Sequence, residues 1–255
     1  WGGRMGDLFA SGNGNATFTC ISVAGNAVYL AGKTAVQYQM STSGAVPVNG
    51  LQSPLFGSAA CTSALRQLMT TGRTNMFENE YARVGERTIN ASSQVTSALS
   101  GVTLATTFPS PNSLADQLKM VARMIGARNA LGAKRQVFFV SLGGFDTHDN
   151  LLGVHPGLMA TVGNAVSAFY KATVELGVAD KVTTFTASDF GRTLVSNNDG
   201  SGHGWGSMHF VLGDAVNGKS FVGSPPVIAN NGPEDVGQER LLPGLSVDQL
   251  SATLP

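Results

Sequence analysis

The fold is decided by the stretch Arg135-Gln136-Val137-Phe138-Phe139-Val140-Ser141-Leu142, which runs directly into Gly143-Gly144-Phe145-Asp146-Thr147-His148-Asp149. A continuous apolar run of this length, ended by a glycine pair, is typical of a strand that is buried on both faces. A helical pattern that ends near Gly177 follows, and residues 182–187 form a second apolar run. Strand, helix and strand in this order predict an α/β fold with a largely parallel sheet.

Helical and β-rich patterns also precede this strand. Residues 54–100 predict two helices separated at Gly72, and Ser113 is predicted to cap a third helix with Asp116 at its capping-box position. The residues expected to face the core are Leu65, Leu68 and Met69 in the first helix, Phe77, Tyr81 and Val84 in the second, and Leu114, Leu118, Val121, Ala122 and Ile125 in the third. Residues 16–48 alternate short β-rich runs with Gly and Asn turns, which predicts a peripheral β meander.

The two ends of the chain lack the cap signals that start and stop helices. We therefore expect a single α/β domain over residues 1–255 that is incomplete at both ends. The two cysteines, Cys20 and Cys61, are too far apart for a local metal clip. They either pair in an oxidising compartment or are buried as free thiols.

The charge balance argues for small or neutral partners. Sixteen basic and sixteen acidic residues cancel, and no Lys/Arg run is long enough to bind nucleic acid or anionic lipid. No stretch approaches the about 20 apolar residues of a membrane helix, so we expect no membrane span. The sequence is silent on oligomeric state.

Polar residues cluster where the predicted strands end. Because the carboxyl ends of parallel strands share one edge of a sheet, side chains that follow them are expected to converge there. The candidate metal ligands are Asp146, His148, Asp189, His203 and His209, and Arg192 is the candidate catalytic residue. The alternative is that each residue is a local cap or turn former with no ligand.

Carboxylate oxygen and imidazole nitrogen are the ligands of zinc and related divalent ions. An adjacent arginine can neutralise a phosphate or sulfate group while the metal polarises its oxygen. The sequence therefore predicts a divalent metal, zinc first with calcium or manganese as alternatives. The predicted substrate is a small anionic ester or a sulfated or phosphorylated glycan.

No nucleophile is marked by a motif. The G-x-S-x-G pattern of serine hydrolases does not occur, and neither cysteine fits the Cys-x-Pro-x-Arg pattern of sulfatases. Residues 213–220 match the phosphate-binding loop G-x-x-x-x-G-K-S, but the strand-like, proline-broken sequence after them cannot supply the helix that such a loop needs.

Three segments carry a family resemblance: Gly144-Phe145-Asp146-Thr147-His148, residues 186–193 and His203-Gly204-Trp205-Gly206. They resemble a large family of exported bacterial proteins, domain-of-unknown-function family 1501, placed in the alkaline-phosphatase-like superfamily with sulfatases and phosphatases. Trp1-Gly2-Gly3-Arg4-Met5 and residues 241–249 extend the resemblance over essentially the whole chain.

The resemblance implies an alkaline-phosphatase-like three-layer sandwich that lacks its first strands here. It also implies twin-arginine export and a periplasmic or secreted bacterial location. The implied activity is metal-dependent hydrolysis of phosphate or sulfate esters.

Two positions depart from the family pattern. Gly202 stands where relatives usually have Asp, and Met208 stands in place of the first histidine of a pair that ends at His209. Losing a carboxylate and an imidazole removes ligands that suit a hydrolytic metal. The alternative function is therefore a non-catalytic secreted scaffold, or a binding or assembly protein, with a degenerate metal site.

Overall fold

The computed structural model describes residues 1–253, which form a mixed α/β structure with a mostly parallel four-stranded sheet. Six α-helices lie in this range: α1 (Gly2–Phe9), α2 (Ala59–Thr70), α3 (Met76–Ser100), α4 (Ser113–Gly126), α5 (Leu151–Glu175) and α6 (Val247–Thr253). The strands are β1 (Cys20–Ser22), β2 (Tyr38–Ser41), β3 (Gly44–Ala45), β4 (Val137–Phe139), β5 (Thr184–Phe185), β6 (Gly191–Ser196), β7 (Ser201–Gly204) and β8 (Val211–Leu212). The last two residues of the expected domain lie outside the described residues.

Two compact units make up the chain. The first contains residues 1–104 and 116–141, and the second contains residues 105–115 and 142–255. Among the described residues, no helix is long and apolar enough to cross a bilayer. The single alkaline-phosphatase-like domain expected over residues 1–255 stays a prediction.

The four-stranded sheet belongs to the first unit and has the order β3-β2-β1-β4. β1 pairs in parallel with both β2 and β4, and β3 pairs antiparallel with β2. β1 is fully buried because it has a strand on each side and the core cluster around Met5, Leu30 and Val137 on one face. The range 16–48 therefore supplies an interior strand, which differs from the peripheral meander that its turn-rich sequence predicts.

The strand predicted over residues 135–142 is shorter and less buried than expected. It covers Val137–Phe139 at the edge of the sheet with Phe138 and Phe139 half-buried, and its expected partner pairs elsewhere. β4 joins β1, whereas β5 pairs antiparallel with β8 in a separate two-stranded sheet of the second unit. β6 and β7 form a second antiparallel pair. The prediction that β4 and β5 share one parallel sheet is not met, because an apolar run specifies burial and does not specify which strand lies beside it.

Helix positions follow the sequence closely, but not every face does. The predicted face of α4 is buried throughout, and its cap is the side chain of Asn112, which accepts from the Ala115 amide in place of Ser113. On α3, Phe77 and Tyr81 are 78% and 70% exposed, and the buried stripe consists of Ala82, Gly85, Ile89, Ala91, Val95 and Leu99. This stripe of mostly small residues is buried because Gly85 lets the backbone of α2 approach α3 closely. The carbonyl oxygen of Met69 lies 2.8 Å from where a Cβ of residue 85 would stand.

Candidate metal centre

The β6–β7 hairpin of the second unit provides the frame of the site. Arg192 on β6 lies opposite His203 on β7, so both side chains emerge on the same face. The turn between the strands reaches the loop that follows β4, where Gly200 lies against the carbonyl of His148 so closely that any Cβ would overlap it. A glycine is therefore required at position 200 to bring the hairpin to Asp146 and His148.

Three ligand atoms form a small triangle at this point. Asp146 Oδ1 lies 2.7 Å from His203 Nε2 and 2.9 Å from His148 Nε2. The two imidazole nitrogens are 3.1 Å apart. Each of the three side chains is about half exposed, with 54%, 49% and 48% of its surface accessible in Asp146, His148 and His203. The group is the set of His, Cys and acidic residues suited to a metal ion in the described residues.

Protons cannot satisfy all three edges of the triangle at once. Hydrogen bonds from His203 and Arg192 and the nearby imidazoles hold the pKa of Asp146 below its usual value, so its carboxylate accepts and does not donate. If both histidines donate to it, their Nε2–H groups face each other across 3.1 Å. If either nitrogen loses its proton, its lone pair instead faces the carboxylate. A cation would satisfy all three lone pairs together.

The dimensions of the triangle suit a metal ion. The three donor atoms lie 2.7–3.1 Å apart, so a single ion could contact all three. Two imidazoles and one carboxylate are also the number and type of protein ligands that catalytic zinc sites use. The residues present therefore fit a divalent ion by atom type and by spacing.

Phe190 and Arg240 support His203 from outside the triangle. The Phe190 ring stacks on the His203 imidazole with the centroids 4.0 Å apart and the planes 8° from parallel. Arg240 Nε donates to the backbone carbonyl of His203 over 3.2 Å. Such outer contacts fix the orientation of a ligand and are part of how a metal site is built. Neither residue could be predicted from the sequence, because ring stacking and hydrogen bonds to the backbone require no characteristic sequence motif.

Arg192 is occupied mainly by the protein itself. Nη1 contacts Asp146 Oδ1 over 3.0 Å, Nε donates to Ser201 Oγ over 2.9 Å, and Nη2 donates to the carbonyls of Thr147, over 2.6 Å, and of Ser201. Four of its five N–H groups are therefore used among the described residues, and one on Nη1 remains. The side chain therefore ties the Asp146 loop to β7 and positions it, and the catalytic role expected of Arg192 stays a prediction.

Two predicted ligands lie apart from the triangle. Asp189 is exposed in the loop before β6. His209 has Ser207 Oγ 3.2 Å from Nε2 and Thr186 Oγ1 3.3 Å from Nδ1, so both ring nitrogens face hydroxyl groups. Its partial desolvation lowers the pKa of the imidazole and favours the neutral form. Sequence order placed both residues after strands but could not tell which way each loop turns.

Gly202 lies on the other face of the hairpin from His203. A Cβ built at position 202 would be 3.5 Å from Thr193, the neighbour of Arg192 on β6. Because side chains alternate along a strand, an aspartate at this position would point away from the triangle. The absence of a carboxylate at Gly202 therefore removes no ligand from Asp146, His148 and His203. Met208 is 74% exposed in the loop that follows.

A family model described as a protein of unknown function, DUF1501, matches residues 57–254. The chain belongs to this family. The DUF1501 match covers α2 to α6 and every residue of the triangle, whereas the resemblance seen at Trp1 to Met5 lies outside the matched range. No curated protein and no solved structure matches the chain.

Proposed function

We propose that this DUF1501 chain is a metal-dependent hydrolase of phosphate or sulfate esters with an alkaline-phosphatase-like fold, exported to the periplasm or secreted. The observation that carries the proposal is the triangle of Asp146, His148 and His203. Three polar atoms within 3.1 Å of one another, whose protons cannot satisfy every contact, form a donor set of the kind that binds a divalent cation.

Each side chain of the site has a role in this proposal. Asp146, His148 and His203 would hold the ion, and Phe190 keeps the His203 ring in place. Arg192 fixes the orientation of Asp146 and retains one Nη1 N–H for an ester oxygen. Zinc is favoured because imidazole and carboxylate are its usual hydrolytic ligands, with manganese, calcium and iron as the other ions to test. When bound, such an ion supplies Lewis-acid polarisation of a phosphoryl or sulfuryl oxygen.

The alternative is a non-catalytic secreted scaffold with a degenerate metal site. What favours it is the position of Asp189 and His209, since three of the five expected ligands remain in the triangle. The half-exposed triangle also offers a substrate little shelter from water.

Metal content tests the proposal first. Elemental analysis of protein purified without chelator should find one zinc, manganese, calcium or iron ion per chain in the wild type. Because the ligands act together, His148→Ala and Asp146→Asn should each lose it. Asp189→Asn is the matched control, since it removes a nearby exposed carboxylate outside the triangle, and it should keep the ion.

Hydrolysis then separates the two functions. The metal-loaded protein should cleave p-nitrophenyl phosphate or p-nitrophenyl sulfate, and His148→Ala should not. A bound ion without hydrolysis of either ester would favour the scaffold. A wild-type protein that binds none of the four ions would refute the metal-dependent hydrolase and favour the scaffold with a degenerate metal site.

A further inference from the structure

Ser207 and His209 form a second polar group of the second unit, separate in its contacts from the metal triangle. Ser207 Oγ is 3.2 Å from His209 Nε2, and Thr186 Oγ1 is 3.3 Å from Nδ1. A hydroxyl, an imidazole and a third group that faces the other ring nitrogen are the parts of an activated nucleophile. Among the described residues, no carboxylate or cation contacts this imidazole.

The segment that carries the pair is held in place at Gly206 and at Phe210. Gly206 packs against the backbone of Leu241, 3.4 Å from where its Cβ would stand, and against Gly191 on β6. At the other end, the Phe210 amide donates to Thr186 Oγ1 over 2.9 Å, and the Thr186 amide donates to the Phe210 carbonyl over 3.0 Å. Ser207 and His209 therefore sit between two anchored backbone positions, which is how a reactive pair is held in register.

The hydrogen bonds allow the base form that catalysis needs. Thr186 Oγ1 already accepts from the Phe210 amide and can accept a second proton from His209 Nδ1. In that tautomer the Nε2 lone pair points at the Ser207 hydroxyl. Partial desolvation lowers the pKa of His209, which favours the neutral imidazole.

The surroundings favour an uncharged, apolar substrate. Trp205 and Phe210 lie on either side of the pair in sequence and Met208 lies within it, and these three side chains expose 68%, 51% and 74% of their surface. Exposed aromatic and thioether groups next to a polar pair offer apolar surface that an acyl group could cover. An anionic ester would gain nothing from them.

We propose that Ser207 and His209 are a nucleophile and its general base for carboxylic esters with apolar acyl groups. Ser207 Oγ forms a bond to the ester carbonyl carbon, and its proton passes to His209 Nε2. The bond to the alcohol oxygen breaks, and that oxygen leaves with the proton from Nε2. Water then attacks the acyl-serine, gives one proton to Nε2, and releases the acid as Ser207 regains that proton. This activity needs no metal and does not rest on the proposed ester hydrolase of the triangle.

Covalent labelling tests the pair directly. An alkyl fluorophosphonate should modify Ser207, as found by peptide mass spectrometry, and chelator treatment should not change the rate. Removing the base should slow the reaction of Ser207 by about 10²–10⁴-fold in His209→Gln. Ser220→Ala is the matched control, because it removes an exposed serine without a histidine partner and should label like the wild type. No adduct at Ser207, or an equal rate in His209→Gln, would overturn the proposal.

A second variant tests the role of His209 while keeping this residue, in case His209→Gln does not fold. In Ser207→Cys, an imidazole beside the introduced thiol should favour the thiolate well below the usual thiol pKa of about 8.5. Iodoacetamide at about pH 6.5 should therefore alkylate that thiol faster than the exposed Cys61 of the same chain, which has no hydrogen-bonded histidine. Equal rates at the two thiols would refute the role of His209. Chelation leaves this comparison unchanged, so its result is independent of the metal test.

Discussion

Arg192 shows at the scale of one residue how position and chemistry combine. Its guanidinium reaches Asp146, Thr147 and Ser201 with four N–H groups, which only a planar fork can do. Lysine has the same charge but a single compact ammonium group. The geometry of the donors therefore matters here more than the charge.

Arg192→Lys should weaken metal binding without removing a ligand. Loss of the fork frees the Asp146 loop from β7, and changes in such supporting contacts usually cost about 10–100-fold in metal affinity. Zinc titration of the chelated protein would measure the change. Arg83→Lys is the control, because Arg83 is an exposed arginine whose ion pair is a surface contact of 3.5 Å with Glu80. Equal affinity in the wild type and Arg192→Lys would contradict the positioning role.

The sequence predicted in part which side chains come together at the candidate site. Asp146 and His148 could be placed because they follow a strongly apolar strand directly, and His203 because it lies in the next polar loop. His209 has the same residue type and a similar position in the chain, yet it contacts Ser207. The Ser-x-His spacing of residues 207 and 209 was the one available signal of this contact, and spacing alone gives no side-chain direction.

At the scale of elements, a single carboxylate ties α1 to the loop before β2. Asp7 accepts from the amides of Lys33, Thr34 and Ala35 over 2.7–2.8 Å and from the Thr34 hydroxyl. The hydrogen bonds from the three backbone amides and from the Thr34 hydroxyl hold the pKa of Asp7 well below its usual range. The loop thus depends on the ionised form of one side chain.

Acid should weaken this link. A depressed pKa in the folded state means that the stabilisation is present above the unfolded pKa of about 4 and is lost as the pH falls below it. The urea midpoint of Asp7→Asn should be lower than that of the wild type at neutral pH, and the gap should narrow in acid. Glu80→Gln, at an exposed surface pair, should track the wild type at both pH values. A gap that stays constant with pH would mean that ionisation of Asp7 is not the cause.

The contact between α2 and α3 depends on the absence of a side chain at Gly85. Alanine is the better helix former by about 1 kcal/mol, but its Cβ would lie 2.8 Å from Met69 O. Overpacking of that kind costs about 1–3 kcal/mol, so Gly85→Ala should lower the free energy of unfolding. Gly163→Ala in α5, where nothing lies within 4 Å, should raise it by about 0.5–1 kcal/mol. Denaturant unfolding of both variants would show whether the signs differ.

Helices were more predictable than sheets for a physical reason. The buried face of α4 could be predicted because the apolar residues of a helix recur every three to four positions, so a short stretch of sequence shows which side is buried. Strand pairing is decided by residues far along the chain, such as β1 and β4, which are more than a hundred positions apart. The small buried stripe of α3 was missed because large side chains such as Phe77 dominate an apolar pattern.

At the scale of the whole molecule, the triangle of Asp146, His148 and His203 lies entirely in one of the two compact units. A ligand stabilises the native state that binds it by about 2.7 kcal/mol at a hundred times its dissociation constant. Local opening is suppressed mainly where the ligand makes its contacts. The effect of zinc should therefore be uneven along the chain.

Hydrogen exchange should map this unevenness. Zinc should slow amide exchange in β6, β7 and the Asp146 loop and leave the β1–β4 pair of the first unit nearly unchanged. His148→Ala should abolish the difference, because it removes one of the three ligands. A uniform slowing of exchange in both units would indicate that zinc acts away from the triangle.

The alternation of side chains along β7, which pairs with β6 across a register shift between Arg192 and Ser196, also has a genetic consequence. His203 reaches Asp146 only because it is two residues beyond Ser201 on β7, opposite Arg192. Insertion or deletion of a single codon between Gly200 and His203 would turn the imidazole to the Thr193 face and leave the composition almost unchanged. A two-codon change would restore the face but move the histidine by about 7 Å along the strand. Lineages that keep the site should therefore tolerate substitution in this hairpin far better than any change in its length.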